Sequence, residues 1–456
     1  MSEETLRQQK VAEVATEANR PIEVGKQSLE TSLSKLSKFG GMNLLKRILP
    51  DAERLDSRVK TEKEKFLTNS SFADRRKGLA KNIEKWLSLL EEDKNVVELA
   101  EICHQKQEEY KELFSENLAI ALDAIKPLEI EYRTLDTFFK NSGEEKLSNL
   151  RIVNVNKAEL DDSNSEFIQE IDNLLKTAYD RLSLKDSYSI LAMPGYIFKD
   201  KQILSLWAKM AKKYKVMLVS DHDDESHYDD LIKNISDNNY SDSDSELQNV
   251  ILCCNWILGR AAETIAGEEE GLYLPPSGAL AGMLYDKSVS IAQGRAGKKY
   301  GTLSEVKGCR LDLLVSEMKP IENQHIVPMV FSEGRVMAFN GDSLFNGIPE
   351  SMQQYSVVRV YEWIKKVLIH YLYEKVHENW TSLVANDLET NISKFLNNHK
   401  GPLKLFEKFE LTKPTRNANG EISMEITLSP HFAAKDFIVE LKTDPDRNEK
   451  TNVREK

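Results

Sequence analysis

The 456-residue chain is poor in the features that mark a secreted, membrane-borne or metal-stapled protein. No apolar run approaches the roughly 20 residues that a spanning helix needs, so a helical membrane insertion is excluded. The opening MSEETLRQQK carries no apolar signal core, and a cytoplasmic location is expected. Cysteines number four, Cys103, Cys253, Cys254 and Cys309, without CxxC spacing, which excludes a zinc or disulfide framework and leaves reduced, mostly buried thiols. Positive charge is also short, 62 Lys and Arg against 74 Asp and Glu, for a net charge of −12. Phosphate backbones are bound by concentrated cations, so nucleic acid is not an expected partner.

Catalytic patterns are equally sparse. The segment 294–301, GRAGKKYG, lacks both the four-residue glycine spacing and the Ser or Thr after Lys of a phosphate loop, and reads as a flexible basic loop. Cys253 and Cys254 sit in an apolar run with no adjacent base. His325 and His370 lie among apolar residues, and no carboxylate pair stands out as an acid/base couple. The sharpest metal candidate is Asp221, His222, Asp223, Asp224 and Glu225 with His227, hard donors at the end of a predicted strand. Consecutive acids diverge and repel, and their spacing fits no calcium loop, so a solvated loop is the preferred reading. A metal-dependent α/β enzyme using Asp221, Asp223 and Asp224 is the rival from another class. A chain this long without a convincing active site points to assembly, with no enzyme activity and no cofactor expected.

What is present is organised in four parts. Residues 1–60 read as an extended arm, polar and broken by Pro21, Gly25, Gly40, Gly41 and Pro50. Within it, Arg20–Val24, carrying Ile22 and Val24, forms a lone strand that needs another sheet for a partner. Residues 61–147 are a helical subdomain, with Ile83, Trp86, Leu87 and Leu90 at helical spacing. Residues 148–355 alternate short apolar strands with amphipathic helices, the mark of an α/β layer. Strands are predicted at Leu150–Val155, Tyr188–Met193, Val216–Val219, Val250–Leu258, Leu311–Ser316, Ile326–Phe331 and Arg335–Asn340. Helices are predicted at Phe167–Leu182, Gln202–Tyr214 and near Tyr228–Ile235, the last inside the acidic excursion 221–246. Residues 356–456 hold two helices, Ser356–His377 and about Trp380–Leu396. Three β segments follow: Phe406–Thr412 with Phe409 and Leu411, Ile422–Leu428 with Met424 and Ile426, and Phe437–Leu441 with Val439.

Two motifs are specific. In LYLPPSGALAGMLYD, 272–286, Pro275 and Pro276 fix two φ angles and remove two donors, predicting a rigid extended corner turned by Ser277 and Gly278. Ala279, Ala281 and Gly282 let a following element approach its neighbour closely. With SYSILAMPGY (187–196), VMLVSD (216–221) and VILCCNWILG (250–259) before it, this stretch resembles the core of contractile phage-tail sheath proteins. Towards the end, LSPHF (428–432, with Pro430, His431 and Phe432) and DFIVEL (436–441) resemble the ending of the large sheath subunit of bacterial type VI secretion systems. IVPMV (326–330) and AFNGDSL (338–344) are similar to an internal segment of that family.

The resemblance implies an α/β, overall α+β, chain with a phage tail sheath-like mixed-sheet core. To this it adds an N-terminal helical region and a C-terminal β/helix assembly domain. It implies a structural subunit of a bacterial cytoplasmic sheath that polymerises around an inner tube protein and contracts, or else the single-component sheath of a phage-derived injection system. It further implies a small sheath subunit in a heterodimer, self-association, a baseplate and an AAA+ unfoldase as partners. Strand donation would involve Ile22, Val24, Phe409, Leu411, Ile422, Met424, Ile426, Phe437, Val439 and Leu441. The family core motif comprises Pro275, Pro276, Ser277, Gly278, Gly282, Pro430, His431 and Phe432, and Asp387 and Glu389 either meet basic groups of a tube or belong to a solvated helix face.

Overall fold

Ala80, Ile83 and Leu87 recur at helical intervals, and all three are buried on helix α1, Ala73–Leu90, whereas Trp86 on the adjoining face is half exposed. Helix α2, Val96–Asn141, follows. The structure, a computed structural model, describes residues 34–35, 72–90, 96–143, 147, 149–196, 198, 200–262, 270–286, 291 and 293–432. The chain divides into two compact units, Met1–Ala124 and Ile125–Lys456, and the division falls inside α2. The strand candidates at Arg20–Val24 and Phe437–Leu441 lie outside the described residues.

The second unit is built on a five-stranded sheet in the order β1 (Ile190–Met193), β2 (Met217–Asp221), β3 (Val250–Cys254), β6 (Val327–Ser332) and β7 (Arg335–Ala338). The first four run parallel, with Ile190 opposite Met217, Leu218 opposite Val250 and Cys253 opposite Val327, and β7 returns antiparallel with Met329 opposite Ala338. Side chains alternate between faces along a strand, and both faces here are covered, which explains the unbroken apolar runs. Leu218, Val250, Leu252 and Cys254 pack with α3 (Glu166–Asp180), α4 (Lys201–Lys213), α5 (Tyr228–Asn238) and α7 (Val315–Glu322). Met217, Val219, Ile251 and Cys253 face α6 (Pro276–Tyr285) and the start of α8 (Tyr355–Glu374). Cys253 and Cys254 therefore lie in separate cores, and burial raises both thiols out of the reactive range.

Four sequence expectations change. Val250–Leu258 is two strands, β3 and β4 (Ile257–Arg260), because Asn255 takes a left-handed φ of 63°. Its side-chain amide donates to the carbonyls of Leu311 and Met329, and its Oδ1 accepts from Leu311 N–H, so the break is fixed by hydrogen bonds. β4 pairs with β5 (Leu272–Leu274) as a separate ladder. Leu311–Ser316 is not a strand; the chain enters α7 at Val315, where the Glu317 carboxylate accepts from Leu314 N–H. Leu150–Val155 has no ladder partner among the described residues, and Leu150, Ile152 and Val153 are half exposed, since alternation sets faces but supplies no neighbour.

The largest change is at the PPSG stretch, which does not turn. Pro275 is the N-cap and Pro276 the first residue of α6, where a missing N–H leaves no hydrogen bond unmade. All residues of α6 from Pro276 to Leu284 are buried, so its small, apolar composition reflects enclosure on every side.

The C-terminal part stacks α8 and α9 (Ser382–His399) under a two-stranded antiparallel sheet of β8 (Phe406–Leu411) and β11 (Ile426–Pro430). Val360, Ile364, Leu388, Ile392, Leu396, Phe406 and Leu428 form this third core. The hairpin between them carries a short pair, β9 (Thr415–Arg416) and β10 (Ile422–Ser423).

Candidate functional site

Among the described residues no group of three or more His, Cys, Asp or Glu side chains converges as a metal site. The Asp221–Glu225 run is dispersed by the fold. Asp223 is exposed, and Asp224 faces Arg310 at 3.8 Å. Asp221 is fully buried, where it accepts from Gly195 N–H at 2.8 Å, Ser277 N–H at 2.8 Å and Ser277 Oγ–H at 2.5 Å. A carboxylate at a helix N-terminus satisfies orphan donors and opposes the positive end of the helix dipole. Desolvation outweighs those donors, and the carboxyl is raised to about 7. Asp221 thus fastens α6 to the ends of β1 and β2.

Gly278 and Gly282 form one face of α6, four residues apart, against α2. A Cβ at Gly278 would stand 2.5 Å from Thr134 Cγ2, and one at Gly282 would stand 2.3 Å from the Phe138 carbonyl oxygen. The two helices touch through bare backbone. Asn141 extends the seam, its Oδ1 accepting from Ser304 N–H at 2.7 Å. Pro275 to Gly282 therefore occupy the protomer interior, with Pro275, Pro276 and Ser277 at the helix start and both glycines at the α2 contact.

The β8–β11 pair holds most of the remaining sequence candidates. Leu411 lies opposite Ile426, and Phe409 opposite Leu428; Phe409, Leu411, Met424 and Ile426 are half-buried over the α8–α9 core. Ile422 is exposed. Pro430 pairs with Phe406 beyond a register shift, His431 Nε2 lies 3.0 Å from the Gly401 carbonyl, and Phe432 is 63% exposed. Tyr361 of α8 donates to the Leu428 carbonyl at 3.0 Å, which clamps β11 onto the helix. Among the described residues no third strand joins this sheet, although Gly401 N–H donates to the Phe406 carbonyl at the start of β8 at 2.9 Å. On α9, Asp387 is exposed and 3.9 Å from Lys375 Nζ, whereas Glu389 is half-buried.

A further surface went unread in the sequence. In the second unit, α2 exposes Ile125 (49%), Leu128 (65%), Tyr132 (71%), Leu135 (37%) and Phe139 (46%). Their spacing of three and four residues alternately is that of the a and d positions of a coiled coil. The signal in the sequence is a heptad count through 125–139, inside the predicted helical subdomain 61–147.

Family models match along nearly the whole length. The central domain described as type VI secretion system TssC/VipB covers residues 120–346, the TssC/VipB-like C-terminal domain covers 354–455, and the TssC/VipB-like N-terminal region covers 29–118. Among solved structures, a chain of the sixfold-symmetrised baseplate of the anti-feeding prophage aligns at 12% identity over 68% of this chain and 80% of its own, with a TM-score of 0.50. The contracted helical sheath of the same particle aligns at 13% identity over 68% and 81%, with a TM-score of 0.47. The contracted PVC sheath of an extracellular contractile injection system aligns at 12% identity over 69% and 80%, also at 0.47. No curated protein matches.

Proposed function

This chain belongs to the TssC/VipB family of the type VI secretion system, and from that premise we propose how it builds a contractile sheath. As a member of that family it is a structural sheath subunit, which self-associates around a tube, and not an enzyme. The finer reading is ours. The chain acts in the bacterial cytoplasm as the large partner of a heterodimer with a small sheath subunit. The heterodimers polymerise helically from a baseplate around an inner tube protein, and an AAA+ unfoldase recycles the contracted polymer. Neither nucleic acid nor membrane insertion enters this scheme.

The observation that carries it is the β8–β11 sheet, two strands seated on the α8–α9 core to which no third strand is added among the described residues. Unpaired edges threaten aggregation in a monomer, but they are the means of addition in a strand-exchanging polymer. Donated strands at Arg20–Val24 and Phe437–Leu441 would link neighbours by main-chain hydrogen bonds, which persist while protomers rotate. Contraction is then a release from a metastable lattice to a better-packed one, with no nucleotide hydrolysed in the step. The exposed heptad seam of α2 supports a helical contact with the small subunit. Asp387, the exposed one of the two acids, is assigned to the tube-facing side of α9, and Glu389, two residues on and half-buried, points to another side.

Co-expression with the small subunit, compared for the full chain and a deletion of residues 1–28, tests the scheme. Long tubes are expected from the full chain, and soluble folded heterodimers from the deletion. Normal tubes from the deletion would remove the N-terminal arm as donor, and tubes formed by the chain alone would favour a single-component sheath.

A further inference from the structure

Helix α8 is amphipathic in an unusual way: Arg359, Glu362, Trp363 and Lys366, at i, i+3, i+4 and i+7, line one cavity of about 600 Å³. The rest of the lining adds more cations, Lys185 and Lys215, beside the starts of β1 and β2 and the end of α6.

The polar groups inside are incompletely used. Arg359 donates through Nη2 to the Leu284 carbonyl at 2.6 Å, while its Nη1 is buried without a hydrogen-bond partner. Lys366 Nζ donates to the Tyr188 carbonyl at 2.5 Å, which occupies one of three donors. Glu362 is only 8% exposed; Oε1 accepts from Lys365 at 3.0 Å, and Oε2 is buried without a partner. Burial lowers Arg359 to about 10 and Lys366 to about 8, because these cations have left water without a closely bonded counterion. Asp286 also lines the cavity, but Arg295 engages it, donating to its carbonyl at 2.5 Å and lying 3.6 Å from its carboxylate. A buried guanidinium donor left unmatched is rare and costly.

We infer that this cavity is an oxyanion site, in which Arg359 and Lys366 bind the anionic oxygens and Glu362 accepts an N–H or O–H from the same ligand. Hydrogen phosphate carries both kinds of group. An acidic polypeptide segment from the assembled polymer presents the same chemistry through a carboxylate and its main-chain amide. The carboxylate on Glu362 selects against fully deprotonated anions that offer no hydrogen, and Lys185 and Lys215 draw anions towards the opening.

Calorimetric titration of the purified full chain with inorganic phosphate at constant ionic strength is the first arm. Saturable binding is expected, weakened at least tenfold in Lys366→Gln and in Arg359→Gln, with chloride giving no signal. Lys185→Ala, at an exposed lining position, keeps the test open if the α8 variants fail to fold; its expected loss is two- to fivefold. The second arm is the density in this cavity in a helical reconstruction of the polymer. An isolated oxyanion or an acidic side chain against Arg359 and Lys366 supports the site and tells the two sources apart. No saturable phosphate binding together with a cavity holding neither group would overturn it, as would binding unchanged in all three variants.

Discussion

At the scale of single residues, the interior of the protomer turns on three small or buried groups. Gly282 abuts main chain, the Phe138 carbonyl, which cannot rotate away, so Gly282→Ala is expected to destabilise by about 3 kcal/mol in denaturant titration. Gly278 meets a side chain first, and Gly278→Ala should cost about 1–2 kcal/mol, partly recovered in combination with Thr134→Ser, which removes the offending methyl. Asp221 carries a pH signature. Its carboxyl is raised from 3.8 to about 7 in the folded protein, so the stability it contributes is complete below pH 4 and is lost as pH rises through 7. Between pH 5 and pH 8 the native chain should lose about 2 kcal/mol more than Asp221→Asn, read from urea midpoints at each pH. An equal pH dependence in the two proteins would show that Asp221 does not titrate there.

At the scale of elements, the α2 seam and the β8–β11 pair are separable. Leu128→Asp with Tyr132→Asp alters side chains that are 65% and 71% exposed, so the isolated chain should keep its melting temperature while affinity for the small subunit falls at least tenfold in a pull-down titration. Unchanged affinity would place the heterodimer contact elsewhere. Periodicity revealed α3, α4, α8 and α9 because each has one strongly apolar face, and it revealed β2, β3 and β6 because both their faces are buried. It failed where the deciding partner is distant. The two prolines state their own φ angles, but not that a carboxylate 56 residues away accepts the first donors of a helix. Asn255 likewise breaks an apolar run through hydrogen bonds to Leu311 and Met329, which no local pattern records.

At the scale of the whole molecule, function was legible from order and absence. PPSG and LSPHF stand in the same sequence order as in sheath proteins, and the sequence offers no convincing catalytic constellation, so the sequence alone points to assembly. The surfaces were less legible, because an unpaired strand edge and an exposed helix seam are properties of what the fold leaves uncovered. Pro275 to Gly282 prove to be interior packing, and the sites assigned to polymer growth lie elsewhere, at β8–β11 and the two ends of the chain. The central claim is that these two strands are an unfinished sheet completed by neighbours. A helical cryo-EM reconstruction of the polymer formed with the small subunit tests it most directly. The account predicts additional strands, contributed by other chains, hydrogen-bonded to the outer edges of β8 and β11. A polymer in which this sheet remains two-stranded and neighbours meet through side chains alone would contradict it.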